Sequence, residues 1–341
     1  MSDSAQKVGE EILVNTSALF DQNFTTITGL SNGGFVVSWQ DQSGTLGDSN
    51  GSSIKAQVYD SAGTKVGGEF LVNTQTASNQ NWPTIAGLSN GSFVVSWNDY
   101  SGTLGDADYN SVKAQIFDAT GAKVGGEFLV NTQTANAQWL PNIADLSNGG
   151  FVVSWGDQSF TLGDASSYSV KAQIFDATGA KVGGEFLVNT QTINSQRHPA
   201  ATGLSNGGFV VSWEDNDRKP GDPSATNIKA QVYDSAGTKV GGEFLVNTQT
   251  ASQQSEPVIT GLSNGGFVVS WADSNDSLGD ASGFSVKAQI FDATGAKVGG
   301  EFLVNTQMAD LQRYPTITGL SNDGFVVSWQ DQSGTLGDSN G

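Results

Sequence analysis

Short runs of apolar residues with strand-like spacing return along this chain at a fixed interval of 58 residues. Each Phe-Val-Val-Ser-Trp run ends in an indole, and these fall at Trp39, Trp97, Trp155, Trp213, Trp271 and Trp329. A glutamine keeps the same step at Gln22, Gln80, Gln138, Gln196, Gln254 and Gln312. A period of this length filled with strand-like segments is typical of a propeller or solenoid, not of an ordinary globular core.

One repeat, residues 80–137, is predicted to contain four strands. Residues 83–88 are a short apolar strand, and an Asn-Gly turn joins them to the β-branched run 93–97. Residues 111–117 alternate with period two, and residues 123–131 form the fourth strand with a Gly-Gly bulge. No stretch shows the periodicity of a helix, and four antiparallel strands per repeat are typical of a propeller blade.

We therefore predict an all-β propeller of six four-stranded blades, closed by terminal strands that share one blade. The predicted blades are 22–74, 80–132, 138–190, 196–248, 254–306, and a shared blade made of 312–341 plus 1–16. Third strands occur only five times, so one is missing, and strand exchange with another copy of the chain would supply it. The alternative is five blades, because residues 34–51 return letter for letter at 324–341 as if a further copy had begun.

The strand order and the turns resemble known repeats. Residues 59–63 and 117–121, where an aromatic-Asp pair leads into a Gly turn, resemble the kelch-type blade in topology, although kelch blades carry paired glycines where this chain has Ser-Trp. The repeat text resembles tandem units of large acidic bacterial secreted or surface proteins, including adhesins of the RTX type. Its Gly-Gly-x-Gly-x-Asp nonapeptide is absent here. The resemblance implies an extracellular or cell-surface bacterial protein.

The composition of the chain restricts the classes of binding partner that it can have. The chain has 34 acidic and 15 basic residues, a formal net charge of −19. This charge disfavours nucleic acid and anionic membranes as partners. Cysteine is absent, so disulfides and thiolate metal sites are excluded. The first residues carry no apolar signal region, and no apolar window is long enough to span a membrane, so we expect no membrane insertion.

Variation between repeats is concentrated in loops that the strand order places on one face. The predicted ligand-binding residues of this variable face are Phe24, Trp82, Trp139, Arg197, His198, Glu256, Arg313 and Tyr314. Variable loops on a constant scaffold are how binding surfaces are commonly built, and aromatic and Arg residues dominate binding hot spots. The predicted partner is a glycan or a protein on a cell surface. The alternative is neutral drift of exposed loops after duplication.

Each Trp is followed by the frame Trp-x-Asp-x5-Gly-Asp. Its paired carboxylates could supply oxygens to Ca²⁺, the one cofactor we consider. These candidate ligands are Asp41, Asp48, Asp99, Asp106, Asp157, Asp164, Asp215, Asp222, Asp273, Asp280, Asp331 and Asp338. The alternative is that the first Asp of each frame accepts backbone N–H bonds and shapes its loop.

The sequence favours a non-enzymatic extracellular binding or structural module over two alternatives. The first alternative is a lectin that uses Trp82, Trp139 and Tyr314. The second is a glycoside hydrolase, for which Glu214 and Glu256 are a candidate carboxylate pair. His198 is the single histidine and has no Cys partner, so the sequence does not favour catalysis there.

Overall fold

The computed structural model describes residues 9–164, 167–216, 226–250, 252–274, 283–307 and 310–334. The first strands of the repeats are β1 (Gln22–Gly29), β5 (Gln80–Gly87), β9 (Gln138–Asp145), β13 (Gln196–Gly203), β17 (Gln254–Gly261) and β21 (Gln312–Gly319). The second strands are β2 (Phe35–Asp41), β6 (Phe93–Asp99), β10 (Phe151–Asp157), β14 (Phe209–Asp215), β18 (Phe267–Asp273) and β22 (Phe325–Asp331). The third strands are β3 (Ser53–Tyr59), β7 (Ser111–Phe117), β11 (Ser169–Phe175), β15 (Asn227–Tyr233) and β19 (Ser285–Phe291). The fourth strands are β4 (Lys65–Leu71), β8 (Lys123–Leu129), β12 (Lys181–Leu187), β16 (Lys239–Leu245) and β20 (Lys297–Leu303).

These strands form five four-stranded antiparallel sheets and one two-stranded sheet, β21–β22. The first strands contact one another in succession, β1 with β5, β5 with β9, and so on to β21, so they line a common axis. The prediction of an all-β propeller built from 58-residue repeats of four-stranded sheets is confirmed. No helix that could cross a membrane occurs in the part of the chain that the structure describes.

Neighbouring blades pack through their second and third strands, which are buried on both faces. In one such core Ala114 and Ile116 of the second blade pack with Phe151 and Trp155 of the third. Val130, just after the second blade's fourth strand, completes the same cluster. The indoles of the first five repeats are at most 2% exposed, which explains why Trp returns with the period. Burial of an aromatic side chain of this size contributes a large share of core stability.

The third strands differ from the alternating pattern that their sequence predicts, because their polar side chains are buried too. Lys113 is fully buried and bonds Asp99 at 2.8 Å and Glu127 at 3.4 Å. Gln115 is also fully buried, and its side chain donates to the carbonyl of Ile116 at 2.9 Å. Buried charges persist where they are paired and hydrogen-bonded, which is the case here.

The sixth repeat departs from the other five. Its hairpin β21–β22 has no third strand among the described residues. Residues 12–15, which belong to the segment 1–16 predicted to complete the shared blade, form no strand, and no third strand lies beside them within the described ranges. The described residues therefore contain five complete blades and one partial blade.

Candidate functional site

Every first strand carries a β-bulge near its start, where the chain turns its side chains toward the variable face. The ladder between β13 and β14 shifts between Arg197 and Ala200, and the other first strands bulge at the equivalent place. The bulged residues have left-handed φ values between 51° and 58°: Phe24, Trp82, Leu140, His198, Glu256 and Tyr314. A proline follows in five repeats, which removes a ladder donor: Pro83, Pro141, Pro199, Pro257 and Pro315.

Left-handed φ is uncommon for residues other than glycine and is costly for bulky ones. The left-handed φ recurs at the equivalent residue of all six repeats, so it is a regular feature of the fold. What differs between repeats is the side chain that the bulge presents. Six different bulky side chains therefore surround one end of the channel, the space along the common axis of the first strands.

Side chains from the second strands hold these bulges in place across the blade boundaries. Asn98 Oδ1 accepts the backbone N–H of Leu140 at 2.9 Å. Glu214 Oε1 accepts the backbone N–H of Glu256 at 2.8 Å in the same way. Glu214 therefore holds the next bulge as the side-chain amide of Asn98 does between the second and third blades. Unlike that amide, Glu214 also brings a negative charge to this position.

Glu214 lies in a group of charged and titratable side chains that we call the Glu214 cluster: Arg197, His198, Glu214, Glu256 and Arg313. Glu214 Oε1 lies 2.9 Å from His198 Nδ1, and Oε2 accepts from Arg197 Nε at 3.2 Å. The Glu214 side chain is 2% exposed, whereas those of Arg197 and His198 are 37% and 41% exposed. A buried carboxylate thus orients two basic side chains that reach solvent.

The electrostatic balance keeps Glu214 ionised. Burial alone would raise the pKa of this carboxyl. The hydrogen bond and charge of His198, the N–H of Glu256 and the charge of Arg197 outweigh burial, so the pKa of Glu214 lies below its ordinary value. At neutral pH the group is therefore a carboxylate that accepts hydrogen bonds and cannot donate a proton.

Glu256 extends the cluster into the sixth repeat. Its Oε1 lies 2.6 Å from Arg313 Nη2, and its Oε2 accepts the backbone N–H of Tyr314 at 2.8 Å. The Arg313 guanidinium lies over the ring of Phe284, 4.2 Å from its centroid. Glu214 and Glu256, the candidate carboxylate pair, are thus joined through the backbone N–H of Glu256, and each carboxylate bonds an arginine.

The aromatic residues of the variable face lie among these bulges and form two separate aromatic pairs. Phe24 and Trp82 meet edge to face at 6.1 Å, and Trp139 meets Tyr168 edge to face at 4.5 Å. Trp82 is a bulged residue, whereas Trp139 precedes one and packs over Gly156. Each indole thus contacts a different aromatic partner, and a role of Trp82 and Trp139 in sugar stacking stays a prediction.

All eight predicted ligand-binding residues therefore lie on the bulges of first strands or directly before a bulged residue. The structure brings four of them into the Glu214 cluster: Arg197, His198, Glu256 and Arg313. Tyr314 is 57% exposed beside them. Their role in ligand binding stays a prediction.

The acidic loop residues have partners within the fold. The first Asp of each complete blade pairs with the third-strand lysine of that blade: Asp41, Asp99, Asp157, Asp215 and Asp273. The second Asp bonds the Asn after the fourth strand in three blades: Asp48, Asp106 and Asp164. Burial raises the pKa of Asp106. Asp222, Asp280 and Asp338 lie outside the described residues, and Asp331 accepts from Ser333.

These contacts give the first Asp the loop-shaping role that the sequence offered as the alternative. Asp99, for example, accepts the backbone N–H of Ser101 at 2.8 Å. No group of three or more His, Asp or Glu side chains suited to a metal ion occurs within the described ranges. The calcium prediction stays untested.

Sequence reasoning missed Asp145, which lies at the opposite end of the channel. It lines a cavity of about 420 Å³ together with Thr202, Thr260 and Thr318. The residue is exposed to the cavity, and partial desolvation by the surrounding wall raises the pKa of its carboxyl. A signal was present in the sequence, because the equivalent position is glycine in the other five repeats.

Several solved structures share this fold at low sequence identity. No protein-family model matches the chain, and no curated protein matches it. Among solved structures, a protein of unknown function from Dyadobacter fermentans has TM-score 0.59 and 13% identity, covering 93% of this chain and 92% of that one. An α-L-arabinanase from Penicillium chrysogenum, complexed with arabinobiose, has TM-score 0.59 and 13% identity, covering 91% and 93%. A sialidase from Streptococcus pneumoniae has TM-score 0.58 and 10% identity, covering 94% and 67%.

At these identities the likeness establishes the propeller fold alone. It corrects two expectations nevertheless. The prediction of a non-enzymatic binding or structural module is wrong, because the similar structures named above that have a stated activity are an arabinanase and a sialidase. The kelch-like and RTX-like resemblances find no support beyond the propeller architecture itself.

Proposed function

We propose that this protein is a glycoside hydrolase-like propeller whose reactive site is the Glu214 cluster. The observation that carries the proposal is the contact between His198 Nδ1 and Glu214 Oε1 at 2.9 Å, with the carboxylate buried and the imidazole half exposed. The arabinanase and the sialidase of similar fold act on sugars, which supports carbohydrate as the substrate class.

Glycoside cleavage requires a proton for the leaving oxygen and negative charge near an oxocarbenium-like transition state. Glu214 is not suited to donate the proton, because its lowered pKa keeps it ionised. The Glu256 carboxylate is bonded to Arg313. His198 is the titratable group that reaches the surface of the cluster. It is therefore the proton donor in our proposal.

The remaining roles follow from burial. Glu214 is a positioning residue, since its buried carboxylate fixes the orientation of the imidazole through the bond to Nδ1. Arg197 and Arg313 are 37% and 30% exposed and present N–H groups suited to sugar hydroxyls or carboxylates. In the reaction the glycosidic C–O bond breaks and the leaving oxygen takes a proton from the His198 imidazolium. Water then adds its oxygen to the anomeric carbon and gives a proton back to the neutral imidazole.

The test is hydrolysis of nitrophenyl α-L-arabinofuranoside, a nitrophenyl sialoside and arabinobiose by the purified chain. We expect release of product from at least one substrate. His198→Asn should reduce the rate by about 10²–10⁴-fold, the usual contribution of a general acid. Glu214→Gln keeps the acceptor for Glu256, as Gln40 occupies the equivalent position, and should give a smaller loss of rate.

Asn98→Ala is the matched control. It removes the equivalent bridge, to Leu140, in a blade that has no part in the cluster. Its activity should equal that of the wild type. The proposal fails if the wild type turns over none of the substrates, or if His198→Asn is as active as the wild type.

A further inference from the structure

A polar cavity lies at the end of the channel away from the Glu214 cluster, where the first strands lead into the Asn-Gly turns. Its volume is about 420 Å³, and small-molecule sites usually measure about 300–1,000 Å³. Asp145 is the one charged residue among the described residues that line it. The other lining residues are glycines, leucines, serines and threonines. The cavity therefore presents a single negative charge among hydroxyl groups.

Asp145 stands at a position where the packing of neighbouring first strands favours glycine. The equivalent residues of the other repeats are Gly29, Gly87, Gly203, Gly261 and Gly319. At the last four of these glycines, an added Cβ would lie between 2.2 and 2.6 Å from the backbone carbonyl oxygen of the preceding first strand. Such a contact is too short, so a side chain at this position requires the neighbouring strands to shift. A residue that breaks a local packing rule in this way is typical of a functional site.

The Asp145 carboxylate has no cation partner within the described residues. The protein donor that it accepts from is its own backbone N–H. Desolvation by the surrounding wall raises the pKa of the carboxyl. A positively charged ligand would stabilise the carboxylate, because an opposite charge nearby favours the ionised form.

Threonine hydroxyls in the wall are held in place by backbone groups. Thr260 Oγ1 accepts the backbone N–H of Gly319 at 3.0 Å, and its own hydrogen can still be donated to a ligand. Thr202 Oγ1 accepts the backbone N–H of Gly261 at 2.9 Å and donates to the carbonyl of Gly203 at 3.4 Å. Because their positions are fixed before a ligand arrives, ordering these groups costs little on binding. They suit the hydroxyl groups of a small molecule.

The number of carboxylates favours an organic ammonium group over a metal ion. Ca²⁺ takes about six to eight oxygen ligands, several of them usually from carboxylates. Asp145 is the single carboxylate in the wall. Asp323 is a second acid that replaces a glycine of the repeat on this face, but its carboxylate bonds the Ser263 hydroxyl. One carboxylate balances one ammonium group, which donates up to about three hydrogen bonds.

We propose that this cavity binds the protonated amine of a small hydroxylated compound, with Asp145 as the counter-ion. The ammonium group donates to the Asp145 carboxylate, and the hydroxyls of the wall bond the hydroxyl groups of the ligand. The site lies at the other end of the channel from the Glu214 cluster and does not depend on the proposed hydrolysis.

The probe is glucamine, the amino derivative of sorbitol, titrated into the purified chain at neutral pH and followed by isothermal titration calorimetry. Sorbitol is the matched neutral probe, because it carries a hydroxyl group in place of the amine. We expect saturable binding of glucamine. Sorbitol should bind at least about tenfold more weakly, because it lacks the charged hydrogen bond to Asp145.

Two glycine variants test the counter-ion. Asp145→Gly restores the residue of the other five repeats, so it should fold, and it should weaken glucamine binding by at least about tenfold. Asp323→Gly is the matched control, because it also restores a glycine of the repeat and removes one negative charge from the same face. It should bind glucamine within about twofold of the wild type, since exposed charges contribute little. His198→Asn should bind glucamine as the wild type does, which separates this site from the proposed hydrolysis.

Several results would overturn the proposal. No saturable binding of glucamine by the wild type would refute the site itself. Equal binding of glucamine and sorbitol, or equal losses in the two glycine variants, would show that Asp145 is not the counter-ion. Binding of Ca²⁺ that Asp145→Gly abolishes, without binding of glucamine, would assign the cavity to a metal ion instead.

Discussion

Replacing Lys113 by methionine tests the buried ion network that recurs in each complete blade. The ammonium lies 2.8 Å from Asp99 and 3.4 Å from Glu127, and all three side chains are at most 3% exposed. Lys113→Met keeps the length of the side chain but leaves the two carboxylates without their cation. Removing one partner of a buried pair costs about 3–5 kcal/mol, because the remaining charge stays desolvated. We expect that loss in the free energy of unfolding measured with urea.

Two further variants separate charge from packing. Asp99→Asn combined with Lys113→Met removes the stranded charge at Asp99 and should recover part of the loss. Lys123→Met in the same blade is the matched control, because that lysine bonds Thr74 at the exposed rim. It should change stability by less than about 0.5 kcal/mol. A loss below about 1 kcal/mol for Lys113→Met, or no recovery in the double variant, would refute the reasoning.

Three other outcomes follow from particular residues. Trp155→Ala should lower the free energy of unfolding in urea by about 3–5 kcal/mol. Trp329→Ala should lower it clearly less, because only the indole of Trp155 is fully buried. Equal losses would contradict the partial sixth blade. The lowered pKa of Glu214 contributes stability that is present above its ordinary value of 4.5 and is lost as the pH falls through the lower folded pKa. The Glu214→Gln variant should therefore lose less stability than the wild type on acidification below about pH 4.5, and identical profiles would count against the pKa shift. Gly150→Ala places a methyl group against a backbone carbonyl and should lower the melting temperature, whereas Gly126→Ala meets nothing and should not.

The architecture could be predicted from the sequence because each strand is short, apolar and repeated. The Asn-Gly turns, the second strands and the Trp core were all visible as period and pattern. The third strands were misjudged in one respect. Lys113 looks like a solvent-facing residue in an alternating strand, and only the neighbouring blade and its loop show that it is buried between carboxylates.

The site could be predicted only in part. Comparing repeats identified Arg197, His198 and Glu256, because they stand where other repeats carry unrelated residues. The left-handed bulge that gathers them gives no reliable signal in one sequence. The pairing of His198 with Glu214 depends on a strand register that composition does not reveal. The expectation of a non-enzymatic module is contradicted by the similarity to an arabinanase and a sialidase, which the residue pattern does not reveal.

The measurement that tests the central claim most directly is sugar release from arabinobiose and the two nitrophenyl glycosides by wild type, His198→Asn and Asn98→Ala at equal concentration. The account predicts turnover by the wild type and the Asn98 variant, and loss of about 10²-fold or more in the His198 variant. Turnover that survives in the His198 variant, or its absence in the wild type, would contradict the claim that this cluster cleaves glycosides.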